Sequence, residues 1–277
     1  MPIEAVVSSQ RTRLSRRTLI AAIPATLLLG ACGSRGFEGE GFVADAASND
    51  AINHSAWNSL LSEYVSEGSD GVNRVAYTRM KAEAQDKLLE YLAVMQAVEI
   101  EQYGADEQFA FWVNLYNAAT VSVILANLPL ASIRDIGLLG AGPWGDKAVT
   151  VAGRELSLDN IEHDILRPTF KDVRIHYAVN CASFGCPNLA RAAYTGATLE
   201  AMLETAARAY INHPRGFGGE PGRVTASSIY DWYRDDWGSV AAVLDHARKY
   251  AAGPTAELLE GVSTIASYDY DWSLNAA

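Results

Sequence analysis

Reactive side chains are concentrated between His176 and Pro187, His-Tyr-Ala-Val-Asn-Cys-Ala-Ser-Phe-Gly-Cys-Pro, which holds an imidazole, an amide and two thiols. Cysteine attacks only as its thiolate. A neighbouring imidazolium, or a helix N-terminus if the chain turns into helix after Cys181, lowers its pKa from about 8.5. Cys181 is the candidate nucleophile, with His163 or His176 as general base. Glu162 is the carboxylate that would fix the imidazole tautomer. Such a set suits acyl transfer or hydrolysis of a peptide or amide bond, with Asn114, Asn117 or Asn180 contacting an oxyanion or the substrate.

Three other readings use the same residues. Cys181 and Cys186 form a disulfide in an exported protein, closing a loop so short that it shapes the turn more than it stabilises the fold. His163, His176, Glu162 and a thiolate are acceptable zinc ligands, although no HExxH or paired CxxC accompanies them. In the third reading the polar residues only brace the core of a non-catalytic binding module or scaffold. Apart from the zinc alternative, no cofactor is expected.

The elements that must position these groups are legible from periodicity. Arg174 to Val179 alternates, so the sequence predicts a half-buried strand with His176 and Asn180 on one face. Ala182, Ser183 and Gly185 break the pattern and Pro187 bars helix, which puts Cys181 where the strand turns. Glu107 to Asn127 is apolar around nearly its whole circumference, the mark of a buried helix. Asn114 and Asn117 lie inside it and must find partners, either loop backbone or a substrate and catalytic imidazole. In the helix predicted over Leu158 to Arg167, Glu162 falls within the apolar sector of Leu158, Ile161 and Ile165, and His163 on its flank. An inward carboxylate marks either a site or an ion pair, here to Arg167 or Arg174.

Around this core the pattern predicts amphipathic helices from Trp57 to Val65, around Leu88 to Met95, over Thr198 to Asn212 and over Val240 to Tyr250. A hairpin is expected from Lys147–Val151 into Arg154–Leu156. Further strands are expected at Arg223–Ala226 and Val262–Ala266. Gly216–Gly222 reads as a loop, Tyr230–Trp237 as a short helix with Asp235 and Asp236 on a solvated face, and Tyr270–Asn275 as a segment whose aromatics dock on the body. Helices and strands do not alternate regularly, so the fold class is α+β, a single globular domain with a buried central helix and a small sheet.

The first residues read as an address. Arg16 and Arg17 precede an apolar run from Leu19 to Leu29, followed by Leu29-Gly-Ala-Cys32. This looks like a twin-arginine export signal, residues 1–31, ending in a lipobox with Cys32 acylated. The run is too short for an ordinary transmembrane helix. Residues 32–54 are read as a flexible tether and 55–277 as the globular domain. The chain would then sit on the periplasmic side of the envelope, its membrane partner reached through the lipid on Cys32, with Gly33 favouring the outer membrane. Of 277 residues, 22 are basic and 33 acidic, a net charge of -11. Removing residues 1–31 takes four arginines and Glu4, which leaves 18 basic and 32 acidic residues and a charge of -14. That excess argues against nucleic acid as a partner. The sequence leaves the oligomeric state open.

Phe111-Trp-Val-Asn-Leu-Tyr-Asn117, Leu158-Asp-Asn-Ile-Glu-His-Asp-Ile-Leu-Arg167, His176 to Pro187 and Tyr270-Asp-Trp-Ser-Leu-Asn275 resemble, in order, the signature blocks of the domain of unknown function family 547. The family's activity is not established, so the resemblance implies no substrate. It implies that Asn114, Asn117, Glu162, His163, His176, Asn180, Cys181, Cys186 and Pro187 occupy motif positions. It also implies a fold and thiol site of papain-like or transglutaminase-like kind.

Overall fold

Helix α3, Ala105–Asn127, has no face left for water: every residue from Glu107 to Val121 is buried, as its all-round apolar sequence predicts. Its length and hydropathy would suit a membrane span, yet 83% of that stretch is buried inside the protein, the condition of a core helix. The computed structural model describes residues 48–137 and 140–277. The export segment, Cys32 and the tether up to residue 47 lie outside the described residues.

Helix α2 (Tyr77–Gln96) packs on α3 and helix α1 (Ser55–Tyr64) on α2, the two joined by the antiparallel pair β1 (Val65–Glu67) and β2 (Asn73–Val75). The packed body starts before Ser55, because Ile52 and His54 are buried. The Ile52 N–H donates to Glu107 Oε1 at 2.8 Å, and the same carboxylate accepts the Gly196 N–H at 2.6 Å. The tether assigned from composition is therefore too long at its C-terminal end.

The expected hairpin forms as β3 (Lys147–Val151) and β4 (Arg154–Ser157), with Val149 opposite Leu156. Its turn places Ala152 and Gly153 at positive φ, the geometry that a two-residue hairpin connection requires. A π-helical turn, Asn160–Leu166, and α4 (Arg167–Phe170) follow in place of the single α-helix expected. A second core cluster gathers around α6 (Leu199–Ile211) and α9 (Val240–Tyr250). A three-stranded sheet runs in the order β5 (Phe217–Glu220), β6 (Arg223–Ser227), β7 (Ser267–Asp269), with β5 antiparallel and β7 parallel to β6. The class is α+β, as expected.

The main departure is at the predicted strand 174–179. It is a helical turn, α5 (Ile175–Ala178), followed by extended Val179. All four residues of α5 are buried, so both faces need apolar contacts and the alternation of Ile175, Tyr177 and Val179 carries no period. Ile175 and Ala178 pack in the α3 core while Tyr177 packs in the second cluster, so α5 sits on the seam between them. Elsewhere, the strand expected over 262–266 lies at Ser267–Asp269, the loop 216–222 contains β5, and α10 (Gly253–Leu259), with Pro254 in its first turn, was not anticipated. Tyr230–Trp237 divides into α7 (Ile229–Trp232) and α8 (Arg234–Trp237).

One buried imidazole makes the fold pH-sensitive. His54, 3% exposed, shares a hydrogen bond of 2.8 Å with the Tyr91 hydroxyl, and burial pulls its pKa from 6.5 down to about 4. The unfolded chain thus binds this proton first. Stability from His54 is complete above about pH 6.5 and falls as pH drops toward 4, by up to roughly 3 kcal/mol. Urea unfolding at pH 7 and pH 4.5 should show the loss, and His54→Gln should flatten the dependence by close to one proton. An unchanged slope in the variant would refute this role.

Candidate functional site

The turn after α5 is held by amides. Asn117 of α3 donates from Nδ2 to the Ala178 carbonyl at 2.9 Å and accepts the Asn180 N–H on Oδ1 at 2.8 Å. Asn180 closes the loop by donating to the Pro187 carbonyl at 2.7 Å, and its Oδ1 accepts the Ala182 N–H at 2.9 Å. Asn114 reaches elsewhere, exchanging two hydrogen bonds with the Tyr194 backbone at 2.7 and 3.0 Å. All three amides assigned to substrate contacts brace backbone instead, the other role weighed for the pair on α3.

The C-terminal segment lies along the same turn. Phe184 and Gly185 donate N–H bonds to the carbonyls of Ser273 and Asp271 at 2.7 and 2.8 Å, and the Asn275 N–H reaches the Ala182 carbonyl at 3.0 Å. A Cβ on Gly185 would lie 2.9 Å from the Asp271 backbone, so the approach requires glycine. Ala182 is held at φ 63°, a left-handed conformation that costs a non-glycine residue about 1–2 kcal/mol. Strain of this kind, adjoining Cys181 and pinned by Asn180 and Asn275, collects at functional turns.

Cys181 and Cys186 face each other across this turn with Sγ atoms 2.6 Å apart. Cys186 is buried and Cys181 half-buried, and both are free thiols. The Cys186 sulfur accepts the Cys181 backbone N–H at 3.0 Å and the Tyr270 hydroxyl at 3.0 Å. Ser183 Oγ and Tyr270 Oη lie 3.0 and 3.2 Å from Cys181 Sγ, and 2.8 Å from each other. Burial opposes ionisation of Cys186, but hydrogen bonds from Cys181 and Tyr270 outweigh it and bring its pKa below the usual thiol range. Burial, then the hydrogen bond and charge of Cys186, push Cys181 well above the usual thiol range. The pair thus holds its negative charge on Cys186. No helix begins after Cys181, so the dipole considered from sequence is absent there.

The histidines are committed to other partners. His176 Nε2 lies 2.7 Å from Asp236 Oδ2, and Arg167 binds the same carboxylate through Nε and Nη2, both at 2.7 Å. Burial opposes ionisation of Asp236, but these bonds override it and hold the carboxyl well below the usual range. The His176 ring stacks on Tyr233 at 4.2 Å. His163 sits half-buried between Arg167, 3.0 Å from Nδ1, and Asp159, 3.6 Å from Nε2. Neither histidine is a hydrogen-bond partner of Cys181, so the expected thiol–imidazole pair is not formed.

Glu162 does point inward, at 5% exposure. Burial, and then the Glu162 charge, raise the Tyr233 hydroxyl above the ordinary tyrosine range, while Arg167 and Arg174 pair with Asp236 and with the acids Asp172, Glu200 and Glu204. A cavity of about 250 Å³ adjoins this network on the side of Asp236, lined also by Arg167, Lys171 and Asp172, away from the sulfurs. Among the described residues, no three His, Cys, Asp or Glu side chains converge as a metal-holding group.

Sequence reasoning missed Tyr270, Tyr233 and Asp236 as parts of these networks. Tyr270 was visible in the last motif block, but nothing local shows that its hydroxyl reaches two thiols. Its ring lies against Trp232 at 4.8 Å and Trp272 at 4.6 Å, and Trp272 meets Trp144 at 5.6 Å.

If the Asn117 amide holds the turn, Asn117→Ala strands a buried carbonyl and a buried N–H. The expected loss is about 2–4 kcal/mol in denaturant unfolding, with faster thiol labelling of Cys186. A change below about 0.5 kcal/mol, within the range of ordinary surface substitutions, would show that the clamp is dispensable.

Compared with known families, residues 100–211 match the model described as a protein of unknown function, DUF547. The match takes in α3, the β3–β4 hairpin, Glu162, His163, His176 and the whole cysteine turn. No curated protein and no solved structure matches the chain. Three of the four motif blocks fall inside the matched stretch.

Proposed function

We propose that this chain is an envelope-anchored lipoprotein whose cysteine turn performs thiol–disulfide exchange, with Cys181 and Cys186 cycling between dithiol and disulfide. The observation that carries the reading is the direct contact of the two sulfurs, 2.6 Å apart, with Cys186 receiving a backbone N–H and a phenol hydroxyl. The membrane attachment rests on the arginine pair and on Leu29-Gly-Ala-Cys32. Exchange speeds up when the leaving sulfur has a low pKa and the attacked sulfur is accessible. Cys186 supplies the first property and Cys181 the second.

Starting from the oxidised pair, a substrate thiolate attacks Cys181 Sγ. The substrate–Cys181 bond forms, the Cys181–Cys186 bond breaks, and its electron pair goes to Cys186 Sγ. A second substrate thiolate attacks the substrate sulfur of the mixed disulfide, and the electron pair leaves on Cys181 Sγ, which takes up a proton. The substrate is oxidised by two electrons and the pair reduced by two. The second proton is shared between Cys186 and solvent according to pH. Exchange with a small disulfide such as glutathione disulfide recharges the pair.

A second reading, cysteine-dependent hydrolysis or acyl transfer at Cys181, draws support from the buried carboxylate of Glu162 and the strained Ala182 beside the thiol. One experiment separates the two. Oxidised protein is mixed with a peptide dithiol, and thiols are counted by alkylation and mass. Exchange predicts one peptide disulfide per chain and no reaction with Cys181→Ser; with the peptide supplied instead as its disulfide, reduced Cys186→Ser should hold a trapped mixed disulfide on Cys181, the other peptide sulfur leaving as thiol. A pair that never bonds under glutathione disulfide, or a bond inert to the peptide, would overturn the proposal. Acylation of Cys181 by an activated ester in that inert protein would favour the second reading.

A further inference from the structure

The Tyr270 hydroxyl lies 3.0 Å from Cys186 Sγ, 3.2 Å from Cys181 Sγ and 2.8 Å from Ser183 Oγ. A phenol placed between the two sulfurs of an exchanging pair, almost equidistant from both, can serve either without moving its ring. The ring packs against Trp232 and Trp272, which stack on each other at 5.5 Å. The backbone beside it is fixed by the Gly185 N–H on the Asp271 carbonyl.

Resting on the exchange reading above, we propose that Tyr270 is a catalytic residue of this site: its O–H donates to whichever sulfur carries the developing negative charge. In the first step that sulfur is Cys186, as the Cys181–Cys186 bond breaks. In the second it is Cys181, as the mixed disulfide breaks. Ser183 orients the phenol by donating its own O–H to Tyr270 Oη. Phenol and serine keep their protons at the end of each step, so atoms and electrons balance as in the exchange itself. Burial, reinforced by the charge of the two sulfurs, pushes the Tyr270 hydroxyl well above the ordinary tyrosine range. Tyr270 therefore remains a donor throughout the pH range in which Cys186 ionises.

Tyr270→Phe keeps the ring and its tryptophan contacts and removes only the donor. The ultraviolet absorbance of the thiolate, followed against pH in the reduced protein, should titrate below the ordinary thiol range in the unaltered chain. In the variant it should titrate about one unit or more higher. The rate of attack on the oxidised pair should fall roughly three- to tenfold, as expected for a poorer leaving thiolate. Ser183→Ala, which leaves the phenol in place, should move both readouts the same way by less, and it tests the proposal even if Tyr270→Phe does not fold. A folded Tyr270→Phe with unchanged thiolate titration and rate would overturn the role of Tyr270 while leaving the exchange reading standing. Unaltered protein that neither forms nor transfers the disulfide would sink the reading beneath it.

Discussion

The site depends on one buried amide. Asn117 projects from a helix that has no solvent face and ties both the end of α5 and the first residue of the cysteine turn to that helix. Without that clamp, a helical turn, an extended residue and a left-handed alanine would have no reason to follow one another in a fixed geometry. A buried amide is expensive unless both its ends are used. Here both are used, and the expense becomes rigidity at the place where two thiols meet.

From that anchor the chemistry follows by electrostatics. A buried and a half-buried thiol cannot both ionise in contact, because like charges at this separation repel strongly in a medium of low polarity. The turn settles which one does: the Cys181 backbone N–H and the Tyr270 hydroxyl both point at Cys186. Stabilising the thiolate stabilises the reduced state, which makes the disulfide more oxidising. The second charged cluster, His176 with Asp236 and Arg167, is a separate structure that fastens α5 to α4 and α8. Its imidazole is spent on a carboxylate, which is why a histidine so near Cys181 in sequence does not act on it.

Much of the fold was legible in the sequence. The buried helix, the β3–β4 hairpin and the inward turn of Glu162 all follow from periodicity, because each belongs to a segment with a clear apolar face or with none. The cysteine turn was legible as a turn. The strand expected before it was not there, because Ile175 to Ala178 is buried on every side and alternation loses its meaning in such a segment. The roles of Asn114, Asn117 and Asn180 could not be chosen from spacing, since backbone partners and substrate contacts require the same side chain. Asp236 was hidden for a related reason. An acid among acids reads as a solvated surface until Arg167, 69 residues away, is seen to reach it. Tyr270 lies 84 residues from Cys186, and only the pairing of the C-terminal segment with residues 182–185 brings them together.

The central claim is that Cys181 and Cys186 form one reversible two-electron couple whose reduced state is stabilised at Cys186. Equilibration of the protein in glutathione buffers of graded ratio, with the bonded fraction counted by mass after alkylation, tests it most directly. The account predicts a single two-electron transition at a potential above about −270 mV, the value of a typical reducing dithiol. A bond that persists below about −300 mV, as in structural disulfides, or thiols that stay unpaired in the most oxidising buffer, would contradict it.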